Sequence, residues 1–365
     1  MHKSSAPDYI LLGLVGFLLA LGIVILASVS ASFSFNKFGD TYYLLRHQIL
    51  LGLIPGLVLG FLAFKINLSK IKKWIFPILL ANLLLMVVVF LPVIGSGSGG
   101  ASRWIYLGPF SFQPSELLKL VFILYLATWL ASKIEKKTKD SQPFLGFTMI
   151  IGIVALLLVL QPNISTLGVI VFTAVLMYFA TNTPAWHTVL IILLGVIALY
   201  SLIQLAPYRM ERLAVFFNPE TDPMGIGYQA KQALITTGSG GIGGVGLGMS
   251  LQKWGFLPES VADSIFAVFC EETGFLGGSI LIFLFLIFLW RGFKITKEAS
   301  DKFYQLTALG ITSWITIQAF VNIGAMTGIL PLTGIPLPFI SYGGSALVIE
   351  LVGVGVLLNI SKNSQ

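Results

Sequence analysis

Apolar runs long enough to cross a lipid bilayer recur from one end of this chain to the other, and nothing else in the sequence limits the fold as strongly. A helix rises about 1.5 Å per residue, so about 20 apolar residues cover a hydrocarbon core of about 30 Å. The stretch SILIFLFLIFLW (279–290) carries no charge, and 9–31 is similar in character. Ten such spans are predicted, at roughly 9–31, 44–64, 74–92, 113–132, 143–160, 163–180, 185–206, 266–291, 303–328 and 338–360. With 56% hydrophobic and 10% charged residues, the class is an all-α polytopic integral membrane protein. The chain reads as one transmembrane domain over 1–365, with neither a soluble domain nor an internal repeat. The first stretch follows His2 and Lys3 and ends in ASVSAS, which mimics a signal-peptidase site. Its apolar part is longer than a signal peptide's and more spans follow, so it is expected to stay as a helix.

Lysine and arginine set the orientation. If the amino terminus is cytoplasmic, the inner segments carry twice as many basic residues as the outer ones, which predicts both termini in the cytoplasm. The net charge of +7 is then an orientation signal and gives no reason to expect nucleic-acid binding. The single cysteine, Cys270, excludes an internal disulfide, and His2, His47 and His187 are too scattered to suggest a metal site.

One long departure from apolar sequence remains, at about 207–265, and this topology puts it outside the cell. An uninterrupted loop of that length is unusual unless it is functional. Its glycine run TTGSGGIGGVGLG (236–248) either cradles an anion on bare amides or simply turns tightly. A second run, GSGSGG (95–100), leads into Arg103 and Trp104, where an interfacial anchor belongs; Arg103 is also placed to meet lipid phosphate. Glu116 and Lys119 lie three apart within a span, on one helix face, so they are expected to pair and to face protein or a polar cavity. Glu350 is open to the same two readings. Gln161-Pro162-Asn163 and Pro331 to Pro338 break helices, as cavity linings or as plain turns.

Four blocks, GASRWIYLGPFSFQPSELLKL (100–120), YRMERLAVFFNPETDPMGIGYQAKQALITTGSGGIGGVGLGMSLQKWGFLPES (208–260), DSIFAVFCEETGFLGG (263–278) and LPLTGIPLPFISYGGSALV (330–348), resemble in content and order the signatures of the SEDS family of FtsW and RodA. The first two spans lean towards the division branch, FtsW. The resemblance implies a peptidoglycan glycosyltransferase that polymerises lipid II at the outer face of the bacterial cytoplasmic membrane, beside a class B penicillin-binding transpeptidase, for division or cell shape. It carries the family's essential aspartate onto Asp263 and its paired polar residues onto Glu116 and Lys119. There are two departures: Val261-Ala262-Asp263-Ser264 keeps the aspartate in altered surroundings, while Asn163 replaces a family aspartate and removes its charge.

Transfer of a sugar from a lipid pyrophosphate needs a base for the acceptor hydroxyl and cations for the departing pyrophosphate. Asp263 is the expected base. Arg103, Arg209, Arg212, Lys231 and Lys253 are candidate pyrophosphate partners, and a divalent cation is a possible companion of the pyrophosphate. Glu271 and Glu272 are expected in the first turns of the eighth span, complementing its dipole. A flippase using the Glu116–Lys119 region as a headgroup route is the rival reading, and a structural recruiter of the transpeptidase is a third. Only the polymerase requires a hydroxyl-activating aspartate in the outer loop.

Overall fold

The computed structural model describes residues 6–91, 95–98, 101–107, 110–135, 141–181, 183–204 and 207–363. Helix α1 (Tyr9–Phe38) is capped by Asp8, whose carboxylate accepts from the Leu11 amide at 2.9 Å, and it stops at Gly39 in the left-handed region. The second span combines α2 (Tyr43–Gln48), a π-helical turn (Ile49–Leu53) and α3 (Ile54–Lys65). Helix α4 (Leu68–Val88) follows, started by the Asn67 side chain. Next come α5 (Pro114–Glu135), α6 (Ser141–Leu160), α7 (Ile164–Phe179) and α8 (Ala185–Gln204). The long loop holds α9 (Pro207–Phe217) and α10 (Ile226–Ser239), after which α11 (Ile265–Glu298), α12 (Lys302–Met326) and α13 (Gly344–Lys362) complete the chain.

Among the described residues seven helices are long and apolar enough to cross a membrane, and shorter apolar helices at Phe144–Leu160, Ile164–Phe179 and Val189–Ala198 fall on the fifth, sixth and seventh predicted spans. The chain is a multi-pass membrane protein. Its two ends meet on one face: the Asp8 amide donates to Ser361 Oγ at 3.1 Å, and Arg291 binds the Asp8 carboxylate. Ends on one face are what the ten predicted spans require.

The centre is built by α12 and α13. Where α13 crosses α3, a Cβ on Gly355 would come within 2.1 Å of Gly60 O, and one on Gly56 within 2.6 Å of Leu351. Small residues are what allow two backbones to approach this closely, because lipid offers no hydrophobic drive between helices. Gly292 of α11 meets Thr312 of α12 in the same way.

Two features depart from the sequence reading. The glycine-rich approach to α5 is a small antiparallel sheet of β1 (Gly95–Ser98), β2 (Ala101–Leu107) and β3 (Phe110–Phe112), with Ile105 opposite Phe112. Second, α11 is broken at Gly274 (φ 70°, ψ −169°), and the other glycine run repairs the break. Val245 and Gly246 donate to the carbonyls of Glu271 and Glu272 at 3.0 Å, while Phe275 and Leu276 donate to Gly241 and Ile242 at 2.8 and 3.2 Å. A Cβ on Gly240 would lie 2.1 Å from Cys270 O and one on Gly244 2.2 Å from Glu272 O. The run therefore turns tightly to satisfy backbone groups that the helix leaves unpaired. The Gly241, Gly244, Val245 and Gly246 amides are engaged within the protein, which is the tight turn of the run's two readings.

Candidate functional site

Asp263 sits at the end of the long loop, two residues ahead of α11. Three consecutive carbonyls fix the backbone there. Val261 O accepts from the Tyr342 amide at 3.1 Å, Ala262 O from Ser341 Oγ at 2.6 Å, and Asp263 O from Asn322 Nδ2 at 2.8 Å. The side chain is part-buried, and among the described residues its carboxylate accepts no hydrogen bond. Its Oδ2 faces Gly334, where a Cβ would lie 3.3 Å away and where φ is +70°. Burial, reinforced by the nearby charge of Glu259, raises the carboxyl from the usual aspartate value to about 6; Arg212 and Arg103 pull the other way. A carboxylate so poised ionises close to neutral pH and keeps its lone pairs open to a proton.

The cations divide. Arg103 leaves β2 and donates through Nε to Gln161 O at 3.1 Å and through a terminal nitrogen to Pro162 O, tying the sheet to the turn after α6. Arg212, on α9, donates to Leu332 O at 3.2 Å, and its buried Nε has no hydrogen-bond partner among the described residues. Beside it lies a cavity of about 60 Å³ walled by Val215, Phe216, Leu234 and Leu330. Arg103 and Arg212 both act on Asp263 electrostatically, so β2, α9 and the loop end converge. Lys231 is paired with Glu220 at 2.9 Å, both largely exposed. The Arg209 side chain lies outside the described residues.

Lys253 is a correction. Its side chain is buried, with Nζ 2.9 Å from Glu272 Oε1, 3.1 Å from Ser28 Oγ and 2.7 Å from Gly248 O. These bonds satisfy the ammonium inside the protein, so it is not placed to meet a pyrophosphate. Glu271 and Glu272 fall where expected, in the first turns of α11, which starts at Ile265, and both are buried. Glu271 accepts from Ser250 Oγ and from the Leu251 amide, and Glu272 accepts from Ser28 Oγ at 2.9 Å. They hold the loop to α11 and α1.

Glu116 and Lys119 do pair, at 2.8 Å, fully inside the bundle. Lys119 also donates to Gln318 Oε1 at 2.8 Å and lies 5.2 Å from the centre of the Trp314 ring. Gln318 passes the network on, donating to Pro336 O and to Glu350 Oε1 at 3.1 Å each, while Glu350 Oε2 accepts from the Phe339 amide at 2.9 Å. The pair is thus the root of a polar network under the 331–340 segment. Asn163 joins Ser115 on α5 through its amide at 3.1 Å. Sequence reasoning missed Gln318, Asn322 and Ser341. The available signal was the spacing Trp314, Gln318, Asn322, which puts three polar-capable groups on one face of an otherwise apolar span.

The profile of the family described as Cell cycle protein matches residues 9–365. Stage V sporulation protein E of Bacillus subtilis (strain 168) is 38% identical over 363 residues, covering 100% of this chain and 99% of the relative. The chain belongs to the SEDS family. Another SEDS relative, a probable peptidoglycan glycosyltransferase FtsW of Saccharophagus degradans, is 40% identical over 363 residues, covering 98% of this chain and 94% of its own. Among solved SEDS structures, RodA of Thermus thermophilus superposes with a TM-score of 0.74 at 27% identity, over 98% of both chains. A chain from a peptidoglycan synthase complex that coordinates polymerization and crosslinking gives 0.78 at 29% identity, again over 98% of both.

Proposed function

We propose that this SEDS protein is a peptidoglycan glycosyltransferase that joins lipid II into glycan strands at the outer face of the bacterial cytoplasmic membrane, in division or cell-shape maintenance. The observation that carries the reading is Asp263: a carboxylate free of hydrogen bonds among the described residues, titrating at about 6, at the junction of the long loop with a membrane helix. Asp263 takes the proton of the acceptor sugar hydroxyl as its oxygen bonds to the anomeric carbon of the donor. The bond from that carbon to the pyrophosphate breaks, and the lipid pyrophosphate leaves with the electron pair. Arg212 and Arg103 supply the positive field for the departing charge. A divalent cation would enter with the pyrophosphate as part of the substrate.

Both termini are cytoplasmic in this reading, as the basic-residue bias and their shared face support. A class B penicillin-binding transpeptidase is the proposed partner, by kinship with the synthase complex. The flippase rival finds less support, because Glu116 and Lys119 are engaged with Gln318 and Trp314 instead of lining an open route. Purified protein in liposomes with lipid II tests the choice. Glycan strands are expected; lipid II that crosses the bilayer but is never joined would overturn the proposal.

A further inference from the structure

Asn322 is buried on α12 and holds both sides of the Asp263 site. Its Nδ2 donates to Asp263 O at 2.8 Å and to Ile335 O at 2.7 Å. The second contact fixes the segment that carries Gly334, the residue facing Asp263 Oδ2. One amide group therefore sets the distance between the carboxylate's backbone and the surface opposite its oxygen. Four residues earlier on the same helix face, Gln318 fixes Pro336 O and is itself fixed by Lys119 and Trp314. Helix α12 thus presents a rigid row of amide donors to a stretch of backbone that has no regular secondary structure of its own. Proton abstraction is sensitive to such placement, since a displacement of about 1 Å can cost roughly 100-fold.

We infer that Asn322 is a positioning residue for the transfer reaction, holding the main chain of Asp263 and the turn at Gly334 in one register. The inference rests on the reading of Asp263 as the base. Asn322 reaches the site through the main-chain carbonyls of Asp263 and Ile335, so its loss should act on the chemical step.

The test measures lipid II polymerisation by the full-length protein across pH, with folding followed by thermal melting. Asn322→Leu keeps a similar branched shape and removes both donors. It is expected to lower kcat roughly 10- to 100-fold while KM for lipid II stays within about threefold. It should also move the acid limb of the rate profile down from about 6, as the carboxylate leaves its buried position beside Glu259 for water and the field of Arg103 and Arg212. Asn322→Gln keeps the amide at a longer reach and should fall between parent and Asn322→Leu on both measures; if Asn322→Leu does not fold, Asn322→Gln against the parent decides alone. Folded variants with the parent kcat, or with losses that follow folded yield and an unmoved acid limb, would overturn the inference. Asp263→Asn is measured alongside. If it is inactive while the Asn322 variants behave as the parent, only the positioning role fails; if it keeps the parent rate, the base assignment fails and the inference with it.

Discussion

Lys253 Nζ lies 2.9 Å from Glu272 Oε1 with both side chains out of solvent, so a single ion pair joins the long loop to the upper part of α11. Removing one partner strands a buried charge, at a cost of about 3–5 kcal/mol. Lys253→Met should therefore lower thermal stability strongly, and Lys253→Met with Glu272→Leu should recover much of it. Melting curves of purified protein in one detergent check this. A single variant as stable as the parent would show that the pair does not hold the loop.

The glycine run gives a sharper contrast between neighbours. Gly244 has φ +80° and meets Glu272 O at 2.2 Å from its virtual Cβ, whereas Gly243 has nothing within 4 Å. Gly244→Ala should lose folded yield while Gly243→Ala stays close to the parent. Equal yields would contradict the packing of this run against the break in α11.

How far the sequence disclosed these features depended on the range of the interaction. Spans were legible because a bilayer imposes length and apolarity on each segment separately, and Glu116 with Lys119 because they are neighbours on one helix. The sheet was not legible: its first strand is GSGS, without a strand former, and the Trp, Ile, Tyr and Phe of the two short strands that follow also suit an interfacial anchor. Lys253 looked like a free surface cation because its partners, Ser28 and Glu272, lie 225 and 19 positions away on two different helices. Asn322 gave no sign that its amide reaches Asp263, 59 positions away, because only folding brings the two together.

Orientation is open to direct labelling. Met224 is 91% exposed on the long loop, and the single native cysteine, Cys270, is buried. In a Cys270→Ser background, Met224→Cys should react with a membrane-impermeant maleimide in intact cells. Reaction only after permeabilisation would invert the proposed topology.

The acid limb of the activity follows from Asp263. Its carboxyl is raised to about 6, so the protonated form gains ground as pH falls through that value and the base is lost. The rate should drop about tenfold per pH unit below about 6 and level off above it. The sign for stability is opposite: the native state holds this proton more tightly than the unfolded chain does, so the contribution is fully present below the usual aspartate value and is lost as pH rises through about 6. An acid limb near the usual aspartate value instead would contradict a buried base.

Catalysis by Asp263 is tested most directly by Asp263→Asn in a lipid II polymerisation assay, with binding of lipid II measured on the same preparation. The substitution keeps shape and removes the base, so strand formation should fall by roughly 100- to 10,000-fold while folding and lipid II binding stay close to the parent. Glu259→Gln, four residues earlier, should lose far less. Polymerisation by Asp263→Asn at near the parent rate would contradict the assignment.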